Sequence, residues 1–119
     1  MMTATDRAIE LARAAAAAAA DKKAENILAL DVTQQTPLTD VFVLASASNE
    51  RLVSAVADAI EDEMLERGSK AIAREGKREG RWIVLNFAEI YVHVMHEEER
   101  VYYDLERLYK DCPVVSLDA

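Results

Sequence analysis

Apolar residues recur along the chain with helical spacing in some stretches and with strand-like spacing in others. The first stretch has helical spacing. Residues 4–22 combine Ile9 and Leu11 with a run of alanines, which have the highest intrinsic helix propensity. Thr3 and Asp6 stand where a capping pair would begin such a helix. The stretch therefore predicts a first helix over about 4–22.

A second helical pattern covers about residues 49–67, where apolar side chains recur three or four positions apart. Ser48 is the expected N-cap of this helix, and Gly68 is its expected stop signal. The apolar side chains form one stripe, which we expect to pack on the core.

A third amphipathic stretch predicts a last helix over about 97–111, followed by a tail over 113–119. We expect Val101, Leu105 and Leu108 to form its packing stripe. Its acidic start, at 97–99, suits the helix dipole and is expected to be solvated. The other side is then available to solvent or a partner, with Arg100, Tyr103, Asp104, Glu106 and Arg107.

Strand patterns occupy the rest of the chain, over 26–32, 40–46, 70–74, 82–87 and 90–95. The second run is nearly all apolar, which is typical of a central strand covered on both faces. Flanking Lys and Arg place the third near an edge, and the last two are close enough to form a tight hairpin. The order αββαβββα predicts a single-domain α/β fold with helices packed on a mixed five-stranded sheet.

Alternation along this hairpin separates an aliphatic face from a mixed face. The aliphatic face belongs to the core. The mixed face carries Trp82, Val84, Asn86, Tyr91, His93 and Met95. Such side chains tolerate water and offer hydrogen bonds, so this face is a candidate binding surface. The alternative is that the last helix or an N-terminal segment covers it.

Length and charge narrow the class of protein. With 119 residues, 51% of them apolar, residues 1–119 form one domain with a single core. A net charge of -8 repels phosphate backbones, so we expect little direct nucleic-acid binding and favour a basic protein partner. Solubility alone also explains such a charge. The single Cys112 and the lack of a long apolar run predict a cytoplasmic protein with no membrane contact.

The sequence shows no catalytic or metal-binding arrangement. Gly76 and Gly80 lack the following Lys and Ser or Thr of a phosphate-binding loop. His93 and His96 are three positions apart on a strand, so their rings point to opposite faces. We therefore expect no catalytic residue, no metal and no cofactor, and a small binding module in place of an enzyme.

Four spaced segments extend over about residues 5–112 of the chain. They are Thr39-Asp40-x-Phe42-Val43-Leu44-Ala45-Ser46 with Ser48, Glu75-Gly76-x-x-x-Gly80-x-Trp82-Ile83-Val84-Leu85, Val92-His93-Val94-Met95, and Arg100-x-x-Tyr103-x-Leu105-Glu106-x-Leu108-Tyr109. In this order they resemble the ribosomal silencing factor family, RsfS, also called Iojap. Each segment alone is a weak signal, and together they are specific.

The resemblance implies a partner, a mechanism and a fold. Members of that family bind the large ribosomal subunit through ribosomal protein L-fourteen at the intersubunit face. They block joining of the small subunit sterically and so lower translation when nutrients are short. They are not known as enzymes, although their αβ fold resembles that of nucleotidyltransferases. The resemblance therefore implies a nucleotidyltransferase-like fold without enzymatic activity.

Nine residues are candidates for contacting such a partner or positioning the contacts. The first choices are Trp82, Asn86, His93, Arg100, Tyr103, Glu106 and Tyr109, and the second choices are Asp40 and Glu75. Several also have a structural interpretation, such as an internal ion pair of Arg100 with Glu106 or Asp104. Two alternative functions stay open: a nucleotidyltransferase-like enzyme or its remnant, and a generic acidic homodimer.

The chain departs from the family pattern at the hairpin and near its end. Asn86, Ala88 and Glu89 stand where the family often has Asp, Gly and Asp, and Tyr109 stands where it usually has Trp. The first change removes a charge, so affinity differs if that position contacts the ribosome. Tyr109 keeps an aromatic body, so we expect it to be tolerated. Ala88 also occupies a turn in which Gly would be easier.

Overall fold

The computed structural model describes residues 3–118, so the outermost residues of the predicted domain 1–119 and tail 113–119 lie outside the described part. The described elements are α1 (Asp6–Asp21), β1 (Glu25–Asp31), β2 (Val41–Ala47), α2 (Glu50–Glu66), β3 (Ala73–Lys77), β4 (Trp82–Asn86), β5 (Ile90–His96), α3 (Glu97–Tyr103) and α4 (Leu105–Leu108). The predicted order is confirmed, except that the last helix is in two parts.

The strands form one mixed sheet in the order β1-β2-β5-β4-β3. β2 and β5 are parallel, with Leu44 opposite His93, and the other neighbours are antiparallel. Trp82 lies opposite Met95, which places its side chain on the same face as His93. The predicted mixed five-stranded α/β fold is confirmed, while the nucleotidyltransferase-like label stays a prediction.

The two faces of the sheet carry different layers. α1 and α2 pack on one face, where aliphatic residues of β2, β4 and β5 are buried with Leu11, Val56 and Ile60. Every residue of β2 is buried, as expected for a strand covered on both faces. On the other face, Leu105 and Cys112 bring the C-terminal segment against the sheet. The mixed face of the hairpin is therefore covered in part.

The caps of the two long helices lie two residues and one residue beyond the predicted ones. Thr5, and not Thr3, caps α1, where its Oγ1 accepts from the N–H three residues ahead at 3.1 Å. Asn49, and not Ser48, caps α2 in the same way at 2.8 Å. Each of these side chains satisfies one of the free N–H groups in the first turn of its helix. Gly68 has φ 78° just beyond α2, which confirms the predicted stop.

The third strand lies at Ala73–Lys77, three residues beyond the predicted 70–74. Pairing with β4 sets this register, because Lys77 lies opposite Trp82. The connection is tight, since Arg78 and Glu79 both have positive φ, and the strand therefore extends into residues expected to form a loop. Its position at the edge of the sheet is as predicted.

The prediction of one continuous helix over 97–111 is wrong. Asp104 has left-handed backbone angles (φ 47°, ψ 56°), which separate α3 from α4. The break also changes the packing stripe, because the two parts no longer share one periodicity. Leu105 is buried, whereas Val101 and Leu108 are 80% and 71% exposed.

The segment after α4 covers one edge of the sheet. Asp31 N donates to Pro113 O and Val115 N donates to Ala29 O, both at 2.8 Å, so this segment runs along β1. Covering an edge in this way prevents its pairing with other chains. Among the residues described, no helix combines the length and apolar character needed to cross a membrane.

Candidate functional site

Six aromatic rings lie on the partly covered face of the sheet and form what we call the aromatic face. They are Phe42, Trp82, Tyr91, His93, Tyr103 and Tyr109. Ring centroids are 4.9 Å apart between Trp82 and Tyr103, and 5.0 Å apart between Phe42 and Tyr109. Such tilted and edge contacts are favourable, so the rings hold one another in place. Trp82 and the three tyrosines are half-buried.

A hydrogen bond fixes both the orientation of Trp82 and the tautomer of His93. Trp82 Nε1 donates to His93 Nδ1 at 3.2 Å. Because an indole N–H only donates, Nδ1 is the unprotonated nitrogen, and the neutral ring carries its proton on Nε2. This Nε2 is buried and has no hydrogen-bond partner among residues 3–118.

The electrostatic field at His93 is positive. Burial, together with the charges of Lys77 and Arg100, lowers the pKa of His93 from 6.5 to about 4, so the ring is neutral at pH 7. Lys77 Nζ lies 5.1 Å from the centre of the Trp82 ring, in cation–π contact. The local field is thus opposite in sign to the net charge of -8.

A cavity of about 280 Å³ opens beside His93. Its wall includes Glu75 and Lys77 from β3, Asn86 from β4, and Tyr91 from β5. Asn86 Nδ2 donates to the Tyr91 hydroxyl at 3.4 Å, which is a long hydrogen bond. A space of this size accommodates a single side chain or a small molecule.

Arg100 is buried, so the exposure expected for it is wrong. Its Nη1 donates to Ser46 Oγ at 2.8 Å, and its Nε donates to Glu106 Oε2 at 3.1 Å. The alternative interpretation, an internal ion pair with Glu106, is confirmed. This pair crosses the break at Asp104 and ties α3 and α4 to β2. It thereby holds the elements that carry Tyr103 and Tyr109.

An ion-pair cluster around Arg81, which the sequence did not indicate, fixes the start of α3. Arg81 pairs with Glu50, Glu98 and Glu99. The hydrogen bond from Arg81 lowers the pKa of the Glu99 carboxyl. We expected the whole acidic start of the helix to be solvated. This is wrong for Glu99, which is buried. His96 Nδ1 completes the start by accepting from Glu98 N at 3.1 Å.

The two second-choice candidates have different environments. Asp40 Oδ2 accepts from Thr5 N at 3.0 Å, so it ties the start of α1 to the start of β2. Glu75 is exposed on the edge strand β3 and lines the cavity with His93. The structure therefore places Glu75 beside the aromatic face and engages Asp40 within the chain.

Sequence periodicity missed the exposure of two apolar residues in α3. Val101 is 80% exposed and Tyr102 is 77% exposed, and both line a shallow groove with Glu97 and Glu98. The Tyr102 ring makes an edge contact with Tyr103, at 5.0 Å between centroids, so this groove continues the aromatic face. Adjoining apolar side chains with this exposure are typical of an interaction surface.

Comparison with known proteins gives a consistent family. A family model described as "Ribosomal silencing factor during starvation" matches residues 5–119. The ribosomal silencing factor RsfS of Bacillus subtilis is 40% identical over 104 residues, which cover 87% of this chain and 88% of the relative. RsfS of Halalkalibacterium halodurans is 35% identical over 109 residues, which cover 92% and 93%.

The fold agrees with a solved structure as well. A crystal structure of a protein from Chromobacterium violaceum matches with a TM-score of 0.81 at 31% identity, over 85% of this chain and 84% of that one. The family resemblance found in the four sequence segments is thereby confirmed.

Proposed function

We propose that this chain, which belongs to the ribosomal silencing factor family, binds the large ribosomal subunit in the cytoplasm. It does so through ribosomal protein L-fourteen, and its bulk then keeps the small subunit from joining. Translation falls as a result when nutrients are short. The mechanism needs no chemistry, since a protein of this size at the intersubunit face is an obstacle in itself.

The aromatic face is the observation that carries this proposal. Half-buried Trp and Tyr side chains are enriched among residues that dominate binding energy at protein interfaces. The hydrogen bond from Trp82 to His93 and the ring contact with Tyr103 hold these side chains in place before binding. A preorganised surface loses less conformational entropy on binding, which favours affinity.

The nine candidate residues take two roles in this proposal. Contact with the partner is assigned to Trp82, Asn86, His93, Tyr103, Tyr109 and Glu75. Positioning of the contacts is assigned to Arg100 and Glu106, whose ion pair holds α3 and α4, and to Asp40, which holds the start of β2.

Sedimentation with isolated large and small ribosomal subunits tests the proposal. We expect the chain to travel with the large subunit alone, and Tyr103→Ala to weaken this binding at least about tenfold. Leu65→Ala is the matched control, because Leu65 is 60% exposed on α2, which packs on the other face of the sheet. Each variant is checked for its thermal unfolding. A chain that stays free of the large subunit contradicts the proposal.

A second copy of the chain is a second candidate partner, favoured by the exposed Val101 and Tyr102. A homodimer that covers these residues would have to separate before the aromatic face meets the ribosome. Light scattering of the wild type and Tyr102→Ser tests this. A monomer mass for the wild type rules the homodimer out, and a dimer that Tyr102→Ser separates supports it.

The proposal also assigns no enzymatic activity to the chain. Among residues 3–118, no three His, Cys, Asp or Glu side chains are grouped in a way that could hold a metal ion. A nucleotidyltransferase-like enzyme would require carboxylates that bind a divalent metal with a nucleotide. A shift in thermal unfolding with a nucleotide and Mg²⁺ would favour that alternative.

A further inference from the structure

We infer that the cavity beside His93 receives one acidic side chain of the protein partner, whose carboxylate accepts a hydrogen bond from His93 Nε2 and pairs with Lys77. This inference rests on the proposed function. It specifies the chemical class of the partner's side chain that enters the cavity beside His93.

His93 has a hydrogen-bond donor that no group among residues 3–118 uses. His93 is 8% exposed, lines the cavity, and carries its proton on Nε2 because Trp82 occupies Nδ1. A buried N–H without an acceptor costs free energy in the unbound chain. An acceptor supplied by a partner removes that cost, whereas a partner's ammonium or guanidinium group, which only donates, leaves it in place.

The charge around this donor is positive. Lys77 makes no ion pair within residues 3–118, and its ammonium group lies over the Trp82 ring at the edge of the cavity. The positive charges of Lys77 and Arg100 act on His93 strongly enough to contribute to its lowered pKa. The same field stabilises a carboxylate that enters the cavity.

The cavity has room for an acidic side chain. About 280 Å³ is enough for an aspartate or glutamate side chain, and the wall combines apolar side chains such as Phe42 and Val84 with the polar groups of His93 and Lys77. Nε2 itself is shielded from solvent, so docking includes a small movement of the wall.

Glu75 and Lys77 are groups of opposite charge on the same wall of the cavity, and this allows a test by charge removal. Glu75 opposes an acidic side chain and favours a basic one, whereas Lys77 does the reverse. Neutralising these two residues separately therefore changes affinity in opposite directions, and the signs identify the charge of the group that enters.

The direct test uses NMR of the full-length ¹⁵N-labelled chain with small probes. We expect His93 to show the Nε2-protonated tautomer, and its Nε2 signal to shift with propionate and less so in Lys77→Met. Met keeps the stem that packs on Trp82 and removes the charge. The Nδ1-protonated tautomer would overturn the inference. The inference would also be overturned if propionate left the Nε2 signal of His93 unchanged, whatever the effect of ethylguanidinium.

Affinity for the large ribosomal subunit gives the second readout. We expect roughly threefold tighter binding for Glu75→Gln and roughly threefold weaker binding for Lys77→Met. The reverse signs would show that a basic side chain enters, and equal affinities would show that the cavity stays empty; either result overturns the inference. If the wild type does not bind the subunit at all, the proposed function fails, and the propionate titration still decides the chemistry of the cavity.

Discussion

Buried and neutral, His93 should make the stability of the chain depend on pH. Its pKa is lowered from 6.5 to about 4 in the folded state, by burial first and then by Lys77 and Arg100. Between these two values the unfolded chain binds a proton that the folded chain does not. The free energy of unfolding therefore falls as the pH decreases from 6.5 towards 4, and the contribution is fully present above 6.5.

The size of the effect follows from the two pKa values. A shift from 6.5 to about 4 corresponds to about 3 kcal/mol once the pH has fallen below both values. Between pH 7 and pH 5 the expected loss is about 2 kcal/mol. The carboxyl groups with lowered pKa values, Asp31 and Glu99, titrate below their usual values of 3.8 and 4.5, so they contribute little in this range.

Urea denaturation at pH 7 and pH 5 measures this loss. His93→Gln keeps an acceptor for the Trp82 N–H and does not titrate, so most of the loss is expected to disappear. His96→Asn is the matched control, because Asn also caps a helix start, and it should keep the loss. The reasoning is refuted if wild type and His93→Gln lose equal stability, or if NMR gives His93 a pKa near 6.5.

Two further pairs of substitutions test the strained turn at Ala88 and the contacts of the buried Arg100. Ala88→Gly, at φ 71°, is expected to raise the free energy of unfolding by about 0.5 kcal/mol, because relief of left-handed strain exceeds the added freedom of the unfolded chain. Gly68→Ala, at φ 78°, is expected to lower it by about 1 kcal/mol in the same urea assay. Arg100→Met should lower it by about 2 kcal/mol, since the ion pair with the half-exposed Glu106 and the buried hydrogen bond to Ser46 are both lost, whereas Arg67→Met, which breaks an exposed pair, should change it by less than about 0.5 kcal/mol. Equal effects within either pair would contradict the explanation.

The periodicity of apolar residues was sufficient to predict β2, β4 and β5 and the faces on which they are buried. The apolar run at 40–46 predicted a covered strand, and β2 is buried along its whole length. The alternation at 82–95 separated the core side of the hairpin from the side that carries Trp82 and His93. These predictions succeeded because burial, on both faces of β2 and on one face of the hairpin, directly determines which positions are apolar.

The errors arise where tertiary contacts override a local pattern. Residues 75–77 have a loop-like composition and form part of β3 because β4 provides their pairing partners. The sequence around Asp104 continues a helical period, yet the ion pair of Arg100 with Glu106 spans a break there. Single-sequence reasoning has no access to either contact.

The sequence indicated which residues belong to the candidate site better than it indicated their environment. Trp82, His93 and Tyr103, which are three of the candidate residues, lie together, and Tyr109 joins them through the ring of Phe42. The net charge of the chain, by contrast, gave no sign of the positive field that Lys77 and Arg100 create at His93. Local charge depends on which residues the fold brings together, and composition does not contain that information.

A joining assay tests the proposed function, in which this chain prevents the ribosomal subunits from joining. Large subunits are incubated with the chain, small subunits are added, and the joined ribosomes are measured by light scattering. We expect the wild type and Leu65→Ala to prevent joining, and Tyr103→Ala to permit it. Full joining in the presence of saturating, folded wild-type chain would contradict the proposed function.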